Sequence, residues 1–259
     1  MKLSLLQMPI KIGDFDANQT TLRRLLEAAL PQSPDVILLP ELWDIGFYPR
    51  PLLNYADPEG EKVQTLLSRL AAEYRINIVG GSAACRKNGH VSNTSFVFDR
   101  QGIRLAAYSK THLFSPAKED KTFAAGEDIA LYKLDGLPCA TVICYDLRFP
   151  ELCRRLALAG ITVLFVPAEW PTARLMHWRI LTQARAIENQ FFVAACNGSG
   201  AFANGMELAG HSVILDPWGE RLAEAGKQEA ILSAEILPEI QDKIRSTINV
   251  FADRRPDLY

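Results

Sequence analysis

The sequence predicts an α/β protein in which two mixed sheets, each covered on its outer face by helices, form a four-layer α-β-β-α sandwich. Short apolar runs alternate with amphipathic segments of helical period in both halves of the chain, as in βαβ units. Near the middle the pattern changes to hairpin signals, which favours mixed over wholly parallel sheets. We expect one domain over residues 1–259, because no linker, repeat or low-complexity tract interrupts this pattern.

The N-terminal half predicts three strands and two helices before the hairpins. The strands are residues 1–9, 35–39 and 76–81, and the helices are a first one capped by Asp16 or Asn18, with Leu22, Leu25, Leu26, Ala29 and Leu30 on one face, and a second over 60–74. Lys87-Asn88-Gly89-His90 predicts a hairpin turn, followed by strands over 91–98 and 102–108.

The C-terminal half repeats the alternation. We predict strands over 138–143, 162–167 and 191–196, helices near 150–159 and 174–189, and a turn at Asp216-Pro217-Trp218-Gly219 between strands near 209–215 and 220–236.

Composition excludes several function classes. The formal net charge is −2 with the two signs interspersed, so nothing indicates binding to nucleic acid or to an anionic membrane. We find neither a targeting segment nor an apolar stretch of membrane-spanning length, and therefore expect a cytoplasmic protein. The five cysteines form no Cys-x-x-Cys motif and the four histidines are scattered, so we expect neither a disulfide framework, nor a metal site, nor any cofactor.

Three reactive side chains, Cys144, Glu41 and Lys110, each directly follow a run that we expect to be a strand. Pro40 ends the first of these runs just before Glu41. Because open α/β sheets bind their ligands at strand ends, we expect the thiol, the carboxylate and the amine to form one site. Taken singly, each has a plainer interpretation: a small core residue for the cysteine, and solvated surface charges for the other two.

Together these groups suit acyl transfer from a C–N bond. A thiol needs a base within hydrogen-bonding reach, no histidine flanks Cys144, and Glu41 can take its proton. Lys110 and the backbone N–H of Tyr145 can stabilise the oxyanion that forms when the thiol attacks a carbonyl.

The sequence around these residues resembles a known family. The segments are Leu39-Pro40-Glu41, Ser109-Lys110-Thr111-His112-Leu113-Phe114 and Cys144-Tyr145-Asp146-Leu147-Arg148-Phe149-Pro150-Glu151. In this order they resemble the nitrilase superfamily of carbon–nitrogen hydrolases, and the resemblance extends from Gln7 to Tyr259. It implies the sandwich fold, a covalent thioester, and the roles of general base for Glu41, oxyanion stabiliser for Lys110 and nucleophile for Cys144. It further implies that Glu119 supports the lysine or positions the substrate, although a solvated Glu119 is an open alternative.

The segment Ala168-Glu169-Trp170-Pro171, with His177-Trp178 downstream, resembles the ω-amidase branch, whose members hydrolyse the terminal amide of 2-oxo dicarboxylic monoamides such as 2-oxoglutaramate or 2-oxosuccinamate. Trp170 is expected either to line the substrate pocket or to lie in the core. Arg174 is a candidate to bind the substrate carboxylate. We expect Asp146 and Arg148 to form a structural ion pair, and His112 and His177 to be structural.

Other functions remain open at this stage. Members that hydrolyse carbamoyl amino acids commonly carry paired arginines where this chain has Leu147-Arg148, which disfavours a carbamoylase. A deaminated-glutathione amidase and a nitrilase would share the same three residues. A catalytically silent dimer that binds a ligand is the alternative outside enzymes. By analogy with the family we expect a homodimer with a small-molecule amide as its substrate.

Overall fold

The computed structural model describes residues 1–47, 49–202 and 205–258, so Tyr259, the last residue of the predicted domain and resemblance, lies outside the described residues. The strands are β1 (Lys2–Gln7), β2 (Val36–Leu38), β3 (Asp57–Pro58), β4 (Asn77–Val79), β5 (Ala83–Lys87), β6 (His90–Phe98), β7 (Arg104–Ser109), β8 (Leu131–Leu134), β9 (Leu137–Thr141), β10 (Val163–Ala168), β11 (Phe192–Asn197), β12 (Val213–Leu215), β13 (Arg221–Glu224) and β14 (Ala230–Glu235). The helices are α1 (Phe15–Ala29), α2 (Glu61–Tyr74), α3 (Pro150–Leu158), α4 (Leu175–Asn189) and α5 (Glu239–Thr247).

The strands form two mixed sheets. One has eight strands in the order β14-β1-β2-β4-β6-β5-β3, with β7 also paired to β6. The other has six, in the order β13-β12-β11-β10-β9-β8. Parallel pairs such as β1 with β2 and β10 with β11 occur beside antiparallel ones such as β5 with β6, so the predicted mixture of connections is confirmed.

Three apolar clusters hold the layers together. The first packs α1 and α2 on the outer face of the eight-stranded sheet, and the second packs α3 and α4 on the outer face of the six-stranded sheet. The third lies between the sheets, where Leu5 and Leu38 pack with Phe165 and Phe192. Helices therefore cover both sheets and the sheets face each other, which is the predicted four-layer α-β-β-α sandwich. No helix in the described ranges has the length and apolar character needed to traverse a membrane.

The structure corrects three details of the predicted elements. The expected strand over 220–236 is two strands, because β13 pairs with β12 in one sheet whereas β14 pairs with β1 in the other. The first helix is capped by Asp14, whose Oδ1 accepts the N–H of Ala17, and not by Asp16 or Asn18. The strand before the cysteine ends at Thr141 rather than at residue 143.

Four strands and helices were absent from the sequence prediction. They are β3, β5, β8 and α5. Asp135 and Gly136, both with positive φ, form the turn between β8 and β9, and this Asp-Gly pair was a readable hairpin signal.

Candidate active site

Lys110 is the centre of a buried polar cluster. It follows β7 directly, and its side chain is 1% exposed. The ammonium donates to Glu41 Oε1 at 2.8 Å and to Glu119 Oε1 and Oε2 at 3.0 and 2.9 Å. Both carboxylates are fully buried. The interpretation of Glu119 as a solvated loop residue is therefore wrong, and its contact with the lysine is as the family resemblance implies.

Each oxygen of Glu41 is held by a hydrogen-bond donor. Oε1 accepts from Lys110 and, at 2.8 Å, from the side-chain amide of Asn93 on β6, while Oε2 accepts the backbone N–H of Glu169 at 2.9 Å. Three separate chain segments therefore fix the orientation of this carboxylate. Sequence analysis did not identify Asn93, because an asparagine among the polar residues of β6 carries no signal that separates a structural amide from a functional one.

Cys144 lies at the start of a 3-10 turn, Cys144–Arg148, three residues after β9. Its φ is +46°, a left-handed conformation that is uncommon for residues other than glycine and that occurs often at functional sites. As the second residue of this turn, Tyr145 has an N–H with no acceptor within the turn itself. That geometry leaves this N–H available as the expected oxyanion donor.

Asp146 holds the turn that carries Cys144 in place through its side-chain hydrogen bonds. Its Oδ2 accepts the N–H of Ile143 at 2.9 Å and the hydroxyl of Tyr108 at 2.7 Å. Its Oδ1 accepts the Thr111 hydroxyl at 3.0 Å and the backbone N–H of His112 at 2.9 Å, and contacts His112 Nδ1 at 2.9 Å. One buried carboxylate thus ties the cysteine turn to the segment that carries Lys110.

The expected ion pair between Asp146 and Arg148 is wrong. The donors around Asp146 occupy both of its oxygens, and the guanidinium of Arg148 instead lies over the ring of Trp170, 4.8 Å from its centroid. Arg148 also contacts His177 Nδ1 at 3.3 Å. His112 stacks on Phe149 with ring centroids 3.6 Å apart, which agrees with its expected structural role.

Burial and neighbouring charge shift the acidities in this cluster. Burial raises the pKa of the Cys144 thiol well above its usual value, the adjacent Glu41 carboxylate raises it further, and Lys110 opposes both. Burial works against the ammonium of Lys110, but Glu41 and Glu119 outweigh it and raise the pKa of the lysine. Burial likewise raises the pKa of Glu119, against the effect of Lys110. The lysine is therefore charged and the resting cysteine is a thiol.

Cys144 and Lys110 open into a cavity of about 520 Å³, part of it open to solvent. The wall includes Phe114, Tyr145 and Trp170. Trp170 lies in this wall, and its indole N–H donates to the Arg174 carbonyl at 2.8 Å.

Two arginines line the same cavity. Arg174, the predicted carboxylate ligand, lies over the ring of Phe114, and Arg148 lies over Trp170. Within the described ranges neither guanidinium forms a salt bridge to a carboxylate. Sequence analysis assigned Arg148 to an ion pair. It missed that Arg148 comes four residues after Cys144, and therefore lies on the same turn as the nucleophile and beside the cavity.

Glu169 is the second lining residue that sequence analysis missed. It directly follows β10, as Lys110 follows β7, so the rule that identified the other site residues would also have found it. Its side chain is buried, and burial, together with Glu41 and Asp44, raises its pKa well above the usual value for a carboxyl.

The polar groups of the site do not form a metal centre. In the part of the chain that the structure describes, no group of three or more histidine, cysteine or acidic side chains is arranged to hold a metal ion. All five cysteines are buried free thiols.

The fold and this site place the chain among enzymes that cleave carbon–nitrogen bonds. The chain belongs to the carbon–nitrogen hydrolase family, whose sequence profile matches residues 2–245. The resemblance to the nitrilase superfamily is thereby confirmed. Among its relatives is the 2-oxoglutaramate amidase of Bacillus subtilis (strain 168), 43% identical over 257 residues, which are 99% of this chain and 98% of that protein.

Solved structures agree with the family assignment. A CN-hydrolase superfamily protein from Xanthomonas campestris superposes with a TM-score of 0.92 at 28% identity, covering 98% of this chain and 97% of that one. An amidase mutant from Nesterenkonia sp. AN1, which shows Michael addition of acrylamide at its active-site cysteine, has a TM-score of 0.84 at 26% identity, covering 96% of this chain and 98% of that one.

Proposed function

We propose that the protein hydrolyses the terminal amide of small dicarboxylic monoamides, of the 2-oxoglutaramate and 2-oxosuccinamate type, and releases ammonia. The observation that carries this proposal is that Cys144 and Lys110 line the same cavity as Arg148 and Arg174, two arginines that form no salt bridge among the described residues. The name of the Bacillus subtilis relative supports the same substrate class.

The proposed reaction proceeds through a thioester on Cys144. Glu41 takes the thiol proton as the sulfur attacks the amide carbonyl, and the oxyanion is held by Lys110 and the N–H of Tyr145. Glu41 then transfers the proton to the leaving nitrogen, the C–N bond breaks and ammonia departs. Glu41 next takes a proton from water, whose oxygen attacks the thioester, and returns that proton to the thiolate as the acid leaves. The acrylamide-modified cysteine of the Nesterenkonia amidase supports Cys144 as the nucleophile.

The arginines define the acid end of the substrate. A guanidinium binds a carboxylate through two parallel hydrogen bonds, and such pairs are strong when water is partly excluded. Arg148 is partly buried, and its desolvation and the nearby charge of Arg174 lower its pKa. A substrate carboxylate would neutralise this repulsion between like charges. The enzyme should therefore prefer amides that carry a second, anionic end.

Ammonia release from a substrate panel tests the proposal. We expect rapid release from 2-oxoglutaramate or succinamate, and none with Cys144→Ala. Arg148→Leu and Arg174→Leu should raise KM for succinamate by about 10- to 100-fold, as the loss of one charged hydrogen-bonded pair implies, but should change KM for neutral butyramide little. Activity confined to deaminated glutathione, a nitrile or an N-carbamoyl amino acid would refute the proposal, as would activity that persists in Cys144→Ala.

A cytoplasmic homodimer remains part of this proposal. Exposed apolar side chains on α4, namely Met176, Ile180 and Ile187, support association through this helix. Sedimentation of the wild type should give twice the monomer mass, and Ile180→Glu should shift it to the monomer. A monomeric wild type would refute the dimer.

A further inference from the structure

Glu169 has no role in the mechanism above, and yet it lines the catalytic cavity. Its side chain is 5% exposed, and within the described part of the chain neither carboxyl oxygen has a hydrogen-bond partner. A buried polar group without partners is costly, and one that lines a catalytic cavity calls for a functional explanation.

The charges around Glu169 favour its neutral form. Glu41, Asp44 and Glu119 all act against a negative charge at this position, whereas Lys110 acts for it. Lys110 is already bonded to Glu41 and Glu119. A neutral carboxyl group presents one hydrogen-bond acceptor and one donor, whereas a carboxylate presents acceptors only.

Glu169 is placed beside the general base of the proposed reaction. Its backbone N–H donates to Glu41 Oε2 at 2.9 Å, so the two residues adjoin each other at the wall of the cavity. In the proposed mechanism the leaving nitrogen must lie against Glu41 to receive its proton. A primary amide nitrogen carries two N–H donors, and Glu41 can accept only one of them while it is positioned to protonate the nitrogen.

We propose that the carboxyl group of Glu169 binds the amide group of the substrate, with one of its oxygens accepting the second N–H of the leaving nitrogen. This inference rests on the proposed amidase function and deepens it. The contact selects primary amides over esters of the same acid, because an ester has no N–H at the leaving atom. Glu169 then acts as a specificity-determining residue that also orients the leaving group toward Glu41.

The test compares an amide with an ester that transfers the same acyl group. The substrates are succinamate and monomethyl succinate, assayed with the full-length wild type, Glu169→Leu and Glu169→Gln. Leucine keeps the approximate volume and removes the acceptor, whereas glutamine keeps a carbonyl acceptor and a donor without any charge. We expect Glu169→Leu to lower kcat/KM for the amide about 10- to 100-fold and for the ester less than about 3-fold. Glu169→Gln should stay within about 5-fold of the wild type on the amide.

Stability supplies an independent readout. Since leucine removes two unsatisfied buried oxygens, Glu169→Leu should unfold at a higher temperature than the wild type while losing amide turnover. Equal losses on amide and ester in Glu169→Leu, no loss on either, or a glutamine variant as impaired as the leucine variant would overturn the inference. A wild type inactive on every amide would instead refute the proposed function, and this inference with it, before any variant is compared.

Discussion

Asp146→Asn should loosen the turn that holds the nucleophile. Whichever way the new amide lies, its NH2 group faces a backbone N–H, that of Ile143 or that of His112, and neither can rotate away. The variant therefore loses at least one hydrogen bond to a charged acceptor and leaves a buried donor unsatisfied. A bond of this kind contributes about 1.5–3 kcal/mol, and an unsatisfied donor costs about 1–3 kcal/mol. Because both terms concern the same N–H group, they overlap rather than add in full, and we expect the free energy of unfolding to fall by about 2–4 kcal/mol.

Urea denaturation and thiol alkylation together measure this effect. The urea concentration at the midpoint of unfolding should fall while the m-value stays unchanged. Because the turn no longer holds Cys144, its rate of alkylation by iodoacetamide under native conditions should change. Tyr108→Phe is the matched control, since it removes a single bond to Asp146 and should cost less. A loss in Asp146→Asn below about 1 kcal/mol, with an unchanged alkylation rate, would refute the reasoning.

Three further predictions test the buried charges. Glu41→Gln should lower the pKa of Cys144, because the repelling carboxylate is gone while Lys110 remains. Alkylation of Cys144 at pH 8 should therefore persist, while ammonia release falls at least about 100-fold because the general base is lost. Preserved amide turnover would contradict this. Lys110→Met leaves two buried carboxylates without their cation, and we expect the free energy of unfolding, measured in urea, to fall by about 3–5 kcal/mol. Adding Glu119→Gln should recover part of this loss. No recovery would argue against the ion pair between Lys110 and Glu119. Burial raises the pKa of Asp44 to about 7, so the folded protein holds this proton more tightly than the unfolded chain does. The free energy of unfolding should therefore fall by up to about 4 kcal/mol as pH rises from about 4 to 7. If the dependence of stability on pH is the same in Asp44→Asn, the assignment is contradicted.

Sequence pattern was sufficient where one local rule determines the outcome. Apolar runs ending in reactive residues predicted β2, β7 and β9 and the meeting of Glu41, Lys110 and a thiol, because strand ends in the two facing sheets converge at one edge. The pattern failed where tertiary pairing decides. The run over 220–236 has the pattern of one continuous strand. It is divided because its first part, β13, pairs with β12 in one sheet and its second part, β14, pairs with β1 in the other.

Two of the site residues that were missed share one property. The role of Arg148 and of Asn93 depends on which neighbour each one meets, and those neighbours are distant in the chain. Asp146 was paired with the wrong partner for a similar reason. Three of the four residues that bond to it are distant in the chain, namely Tyr108 on β7 and Thr111 and His112 in the loop after β7, and only Ile143, in the segment after β9, is near.

A direct test of a thioester on Cys144 is the intact mass of the protein quenched in acid within milliseconds of mixing with succinamate. The mechanism requires a fraction of the wild-type chains to carry one succinyl group, which peptide digestion should map to Cys144. It also requires that no thioester forms in Cys144→Ser or Cys144→Ala. Full ammonia release with no acylated chain at any quench time, or acylation at another cysteine, would contradict the account.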